Sequence, residues 1–168
     1  MHYCKPTAVA VSQDGKTFFV SDGYCNSRII KYGLEINNMG YHNVTKLLSF
    51  GKANSGLADF LSKSPYSLNI PHGLVWAENK GLICVADRQN GRIQCYRASD
   101  AHYVKSIKPK EFGSTIYSVA YNPKGSVDLF MYYFLKMVTE KSPVKWSYPL
   151  FLESGKLKFH CTIVMAII

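Results

Sequence analysis

The sequence predicts an all-β chain of β-propeller type, comprising about two blades, the start of a third and a divergent C-terminal tail. Three observations carry that prediction. An Asp-containing turn between two strand-like runs occurs twice, Pro6 precedes Asp22 by the same distance that Pro71 precedes Asp87, and each unit reads as four short strands. The two copies of the turn are Val20-Ser21-Asp22-Gly23-Tyr24-Cys25-Asn26-Ser27-Arg28-Ile29 and Val85-Ala86-Asp87-Arg88-Gln89-Asn90-Gly91-Arg92-Ile93-Gln94-Cys95-Tyr96. Both run in the order small residue, Asp, turn, Arg, β-branched residue.

The first unit opens with a short apolar run at 6–11, a tight-turn signal at Gln13-Asp14-Gly15-Lys16 and a β-branched and aromatic run at 17–20, which together predict a hairpin. Asp22-Gly23 turns the chain again, and 28–32 supplies a third strand. Residues 37–65 are polar, with Gly40, Gly51 and Gly56, and only 44–50 is apolar; a fourth strand followed by a long surface loop is expected. The second unit starts at Ile70-Pro71-His72-Gly73-Leu74 and repeats the order, with strands at 74–76, 82–86, 92–96 and 102–107 separated by turns at 78–81 and 87–91. A third begins at Ile116-Tyr117-Ser118-Val119-Ala120-Tyr121-Asn122-Pro123-Lys124-Gly125, which parallels 9–15.

After Gly125 the repeat pattern stops. Residues 129–138 are apolar and aromatic, 141–149 basic with two prolines, and 157–168 end apolar; no run reaches the roughly 20 residues of a membrane span. The expected organisation is a first blade with its long loop at 1–65, a second blade at 66–114, the start of a third at 115–125, and a tail outside the repeat at 126–168. An exposed Cys161 and the Ile167-Ile168 end would be aggregation liabilities.

Composition narrows the class. Aromatics make up 14% and charged residues only 18% of 168 residues, which favours a packed, strand-rich protein over a disordered one. The net charge of +9 comes from scattered Lys and Arg, so it reads as a solvated surface and not as a nucleic-acid footprint. Of the five cysteines, Cys4, Cys25, Cys84 and Cys95 sit beside strand-turn signals and none forms a C-x-x-C pair. That disfavours a zinc finger or dithiol redox site and favours disulfides in an oxidising compartment. A bridge between Cys84 and Cys95 would close a hairpin-sized loop for about 2–3 kcal/mol, and Cys4 with Cys25 could do the same in the first unit; free buried thiols are the alternative. Asn43-Val44-Thr45 is an N-glycosylation sequon. No signal sequence precedes Cys4, which leads to the expectation of a fragment or an incomplete gene product.

Three residues could carry chemistry. His72 follows Pro71 at the entrance to an inner strand, where an imidazole would point toward the propeller axis. Taken alone it reads more simply as a structural or surface histidine than as a metal ligand. Its equivalents are Thr7 and Tyr117, so the scaffold repeats and the imidazole does not. Tyr24 and Arg88 lie in turns at matching ends of the two units, where a phenol and a guanidinium could act as base and anion clamp. The simpler expectation is that Arg88 pairs locally with Asp87 or Asp22 and Tyr24 only packs.

The segments Cys4-Lys5-Pro6-Thr7, Pro71-His72-Gly73-Leu74 and the two turn copies with their flanking cysteines resemble the peptidyl-α-hydroxyglycine α-amidating lyase family. That family forms the second catalytic half of peptidylglycine α-amidating monooxygenase and is built of NHL-type repeats. The resemblance runs over 2–124. It implies a six-bladed propeller of which this chain holds two blades and part of a third, a zinc ion on three histidines, a structural calcium, and cleavage of peptidyl-α-hydroxyglycine to a peptide amide and glyoxylate. Carried over, His72 is one zinc ligand, Tyr24 the base that takes the hydroxyl proton and Arg88 the holder of the substrate carboxylate. The implied disulfides are Cys4 with Cys25 and Cys84 with Cys95.

The family's remaining zinc histidines, its other active-site arginine and its calcium ligands have no counterparts here, so the expectation is a chain inactive alone. The implied setting is the secretory-pathway lumen, secretory granules or the extracellular space. The implied partners are peptides extended by a C-terminal α-hydroxyglycine and a monooxygenase domain, without nucleic acid. A non-catalytic NHL-repeat protein-binding module is the competing reading, and an interfering or scavenging fragment a lesser one.

Overall fold

In the computed structural model the described residues are 2–40, 42–53, 64–108 and 115–122, together with 129–136 and 160–167; for 122 and these last two segments the description extends to the backbone alone. The first unit folds as four strands, β1 (Ala8–Val11), β2 (Thr17–Asp22), β3 (Arg28–Ile36) and β4 (His42–Phe50), paired antiparallel in chain order. A parallel pair of two-residue strands follows, β5 (Lys52–Ala53) and β6 (Ser67–Leu68). The second unit is again four antiparallel strands in chain order, β7 (Pro71–Ala77), β8 (Leu82–Asp87), β9 (Arg92–Arg97) and β10 (Tyr103–Ile107).

Local chemistry explains the punctuation. Asp14 accepts hydrogen bonds from Ser12 Oγ at 2.6 Å and from the Lys16 amide at 2.9 Å, an Asx-type device that closes the β1–β2 hairpin. The turn predicted at 87–91 is a single 3-10 turn, Arg88–Asn90, ended by Gly91 at φ 58°, a left-handed conformation that glycine adopts without a Cβ penalty. β3 and β4 are longer than the apolar runs suggest. They pair out to Ile36 and His42, beyond the apolar positions, because Asn37 Oδ1 accepts from the Met39 amide and Asn37 O from the Gly40 amide, which closes a tight hairpin.

The core lies between sheets. Ala10, Phe19 and Ile29 from the first sheet meet Ile83, Val85 and Tyr96 from the second, with Phe19 edge-on to Trp76 at a centroid distance of 5.0 Å. The opposite face of the second sheet, carrying Ala77, Cys84, Ala86, Ile93 and Cys95, packs against Ile116 and Val119 ahead of and within β11 (Ser118–Asn122). Alternating side chains of one sheet thus serve two neighbours, as expected of a blade between blades. β7, the first strand of the second sheet, lies against both β1 and β11, the first strands of its neighbours.

Past residue 125, where the sequence repeat stops, backbone pairing continues. β12 (Leu129–Lys136) and β13 (His160–Ile167) join β11 in a three-stranded antiparallel sheet. Pairing needs β-branched and aromatic residues, not the repeat's turn residues, and both segments are rich in them. Cys161 lies on β13, and its side chain, like Ile168 and the basic run at 141–149, is outside the described residues. Among the described residues no helix is long and apolar enough to cross a membrane.

Candidate active site

The ends of β2 and β8 and the beginnings of β7 and β11 fall at the same end of the stacked sheets, because β7 and β8 are antiparallel with Pro71 opposite Asp87. Each sheet fixes that end with the same carboxylate knot. Asp22 accepts from the Cys4 amide at 2.8 Å, Asn26 Nδ2 at 2.7 Å and Arg28 Nε at 2.9 Å. Asp87 accepts from the Asn69 amide at 2.8 Å, Asn90 Nδ2 at 2.8 Å and Arg92 Nε at 2.7 Å. The repeated Asp and the Arg before the β-branched residue are therefore architecture, two buried ion pairs that pin turn to strand.

Both carboxylates are fully buried, yet they titrate in opposite directions. Burial pushes Asp22 upward, but the Cys4 amide, Asn26 and Arg28 together outweigh it and hold the group below its ordinary value. More protein surrounds Asp87; there burial outweighs the Asn69 amide, Asn90 and Arg92, and the group is raised.

One disulfide locks this end of the first sheet and a second lies within the ladder of the second sheet. Cys4 is bonded to Cys25, and Cys84 to Cys95, with Cα separations of 5.4 Å and 4.1 Å. Cys84 and Cys95 are direct partners across β8 and β9 and are fully buried.

Two glycines let successive sheets approach. A Cβ on Gly23 would lie 2.1 Å from Pro71 O, and one on Gly73 would lie 2.7 Å from Ser118 Cα and 3.0 Å from Tyr117 O. At the first contact Pro71 O accepts from Thr7 Oγ1 and Ser21 Oγ, both at 2.8 Å. At the second, Tyr117 O accepts from the Gly73 amide at 3.0 Å. Thr7 and His72, equivalent residues in the first two units, thus each reach into the next sheet.

On this frame Tyr24, His72 and Arg88 converge although they come from two different sheets. Arg88 donates from Nη1 to Tyr24 Oη at 3.2 Å and from Nη2 to Tyr117 Oη at 2.7 Å. Its Cζ lies 5.8 Å from the centre of the Tyr24 ring and 4.3 Å from that of Tyr117, within cation–π range of both. The His72 ring stands edge-on to Tyr24 at 6.2 Å and to Tyr117 at 5.4 Å. Arg88 Nε is buried and has no acceptor among the described residues.

The imidazole has a defined orientation. His72 Nδ1 lies 2.9 Å from Tyr117 O, and a carbonyl can only accept, so Nδ1 carries the proton and Nε2 is left with its lone pair. Burial holds His72 below its ordinary pKa, with the Arg88 charge adding to that effect and the Tyr117 carbonyl opposing it. A neutral imidazole with a bare Nε2 is the form in which histidine binds a metal. Among the described residues, however, no three or more His, Cys, Asp or Glu side chains group as metal ligands.

The expectation that Arg88 pairs locally with Asp87 or Asp22 is not met. Arg28 and Arg92 occupy those carboxylates, which leaves Arg88 to the two phenols. Nor does Tyr24 merely pack: it is 46% exposed and accepts a charged hydrogen bond. Tyr117 is the site residue that sequence reasoning missed, having been read only as the place where the imidazole fails to recur. Its position as the third equivalent of His72 was the available signal. Asn43 lies apart on β4, the outer strand of the first sheet, and is exposed.

Comparison with known proteins follows the same segments. Residues 68–96 match the NHL repeat. The chain is 40% identical to peptidyl-glycine alpha-amidating monooxygenase A of Xenopus laevis over 124 residues, 74% of this chain and 12% of that protein. It is 36% identical over 122 residues to peptidyl-alpha-hydroxyglycine alpha-amidating lyase 1 of Drosophila melanogaster, 72% of this chain and 21% of that protein. It therefore spans about an eighth of the first relative's length and about a fifth of the second's. Among solved structures, a luciferin-regenerating enzyme aligns with a TM-score of 0.55 at 16% identity, covering 95% of this chain and 44% of that one; at such identity the likeness concerns the fold.

Proposed function

Because the chain belongs by sequence to the NHL-repeat amidating lyases, we propose that it carries part of a peptidyl-α-hydroxyglycine lyase centre, with Tyr24, Arg88 and His72 as its functional side chains. The single observation that carries this reading is the meeting of Tyr24, from the first sheet, with the Arg88 guanidinium and the His72 ring, from the second.

The chemistry requires a base, a clamp for a carboxylate and an acceptor for developing charge. Tyr24, as phenolate, takes the proton of the substrate's α-hydroxyl. The O–H electron pair becomes the C=O bond of glyoxylate, the Cα–N bond breaks, and the departing amide nitrogen takes up a proton to give the peptide amide. Arg88 places a positive charge against the Tyr24 oxygen that carries the negative charge in this step. A guanidinium has five N–H donors; Nε–H is buried and two of the four Nη protons are bound to phenols, which leaves two Nη protons for a substrate carboxylate.

His72 fits one position of a zinc centre through Nε2, where bound zinc would polarise the substrate hydroxyl. One imidazole does not hold a catalytic metal, so the other donors of the proposal lie beyond the described residues. A structural calcium belongs to the proposal on the same footing. The two disulfides support folding in the secretory lumen, in granules or outside the cell, where a monooxygenase domain would supply the hydroxylated peptide. The disulfides and the Tyr24–Arg88 contact also speak against a purely protein-binding NHL module, which has no need of either.

The test is to incubate the purified, oxidised chain with zinc and a peptidyl-α-hydroxyglycine and to measure glyoxylate. The proposal expects release no faster than in the absence of protein, since a single zinc ligand is present among the described residues. Release above that rate, abolished by a chelator, refutes the claim that the centre needs further donors.

A further inference from the structure

Beside the three residues already assigned stands a fourth, the equivalent of His72 in the third unit. We infer that Tyr117 is a positioning residue of this site, one that fixes the Arg88 guanidinium with its phenol and ring and the His72 imidazole with its carbonyl. The inference rests on the lyase reading only for what Arg88 and His72 act upon.

Arg88 is held unequally by its two phenols. The Tyr117 contact is the shorter, at 2.7 Å against 3.2 Å for Tyr24, and its ring lies closer, at 4.3 Å against 5.8 Å. A hydrogen bond at one guanidinium nitrogen combined with a ring close to its carbon restricts both its swing and its tilt. Tyr24 offers less restraint, being almost half exposed.

The main chain adds a second grip. The Ile116 amide donates to Arg88 O at 3.2 Å, so the segment bearing Tyr117 holds the backbone of residue 88 as well as its side chain. Tyr117 O accepts hydrogen bonds from His72 Nδ1 at 2.9 Å and from the Gly73 amide at 3.0 Å. One residue leading into the third sheet therefore sets the orientation of two side chains from the second. It also divides the labour between the phenols: Tyr117 restrains Arg88, and the exposed Tyr24 stays accessible to a reactant.

The division is testable without turnover. In the full-length chain labelled with [15N]arginine and [15N]histidine, exchange of the Arg88 guanidinium protons is measured by NMR, with the ion-paired Arg28 and Arg92 as internal standards. Tyr117→Phe, which keeps the ring and the carbonyl, is expected to speed Arg88 exchange about tenfold, the usual weight of a hydrogen bond to a charged group. Tyr117→Leu is expected to speed it further. Both should leave Arg28 and Arg92 unchanged and His72 protonated at Nδ1. Unchanged Arg88 exchange in Tyr117→Phe, or a wild-type His72 that carries its proton on Nε2, overturns the inference. Hippurate, a carboxylate with the substrate's amide but no hydroxyl, separates this inference from the lyase reading. The two together expect hippurate to shift the Arg88 resonances of the wild type and to bind about tenfold more weakly to Tyr117→Phe. Arg88 protection that depends on Tyr117 in a protein whose Arg88 ignores hippurate supports the positioning role and counts against the lyase.

Discussion

Replacing Gly23 by alanine tests how the site is assembled, because this glycine precedes Tyr24 and sits where the first two sheets touch. The added Cβ would lie 2.1 Å from Pro71 O, about 1.2 Å inside the roughly 3.3 Å at which carbon and carbonyl oxygen ordinarily meet. The obstacle is backbone, so relief requires the sheets to part by a similar distance. Pro71 O would then leave Thr7 Oγ1 and Ser21 Oγ, both now at 2.8 Å, at about 1 kcal/mol each. Forced separation of packed elements adds about 1–3 kcal/mol, giving a total of about 3–5 kcal/mol. Gly15→Ala is the control, since nothing lies within 4 Å of its Cβ and only its φ of +70° penalises a side chain, by about 1 kcal/mol. Urea unfolding of the two variants, compared at equal slope, gives the difference directly. A Gly23→Ala variant no less stable than Gly15→Ala would refute the claim that the sheets meet at this point.

Other expectations follow from the same geometry. Asp22, held below its ordinary 3.8, contributes stability that is present above that pH and lost as pH falls through its folded value; Asp87, raised, contributes stability present below 3.8 and lost as pH rises through its folded value. Asp22→Asn should therefore flatten the acid limb of the stability curve and Asp87→Asn the limb above pH 3.8, and a change of the same sign in both would contradict the assignment. Replacing Cys84 and Cys95 together by alanine should lower unfolding free energy by about 2–4 kcal/mol in calorimetry or denaturant titration, whereas an unaltered midpoint would show the bridge to be dispensable. Expression through a secretory pathway should add an enzyme-removable glycan at exposed Asn43 that Asn43→Gln abolishes; a chain secreted without added mass would discount the sequon.

Much of this was legible in the sequence because it is local and repeated. The Asp and Arg residues lie six and five apart and recur in both units, which marked them as scaffold, although the partner expected for Asp87 or Asp22 was Arg88 and not Arg92 and Arg28. The sequence reading places the cysteines at strand ends; Cys84 and Cys95 instead sit within β8 and β9, where they face each other across a hairpin whose register the turn sets. What escaped is non-local. Arg88 meets Tyr24 across 64 residues and Tyr117 across 29, contacts that depend on how one sheet packs on the next and leave no periodic trace. Tyr117 was hidden further because its grip on His72 is made by a main-chain carbonyl, which any residue could provide. The pairing of β12 with β11 and of β13 with β12 was obscured for the opposite reason, since strand pairing follows composition and tolerates loss of the repeat's turn residues.

The central claim, that Tyr24, Arg88 and His72 belong to an amidating-lyase centre, is tested most directly by transplantation. Residues 4–122 would replace the aligned segment of the Xenopus laevis enzyme, and glyoxylate release from a peptidyl-α-hydroxyglycine would be measured with zinc present. The account predicts release by the chimera and a fall of about a hundredfold or more for Tyr24→Phe, the usual weight of a positioned base. A folded chimera that releases none, or one whose rate Tyr24→Phe leaves unchanged, would contradict it.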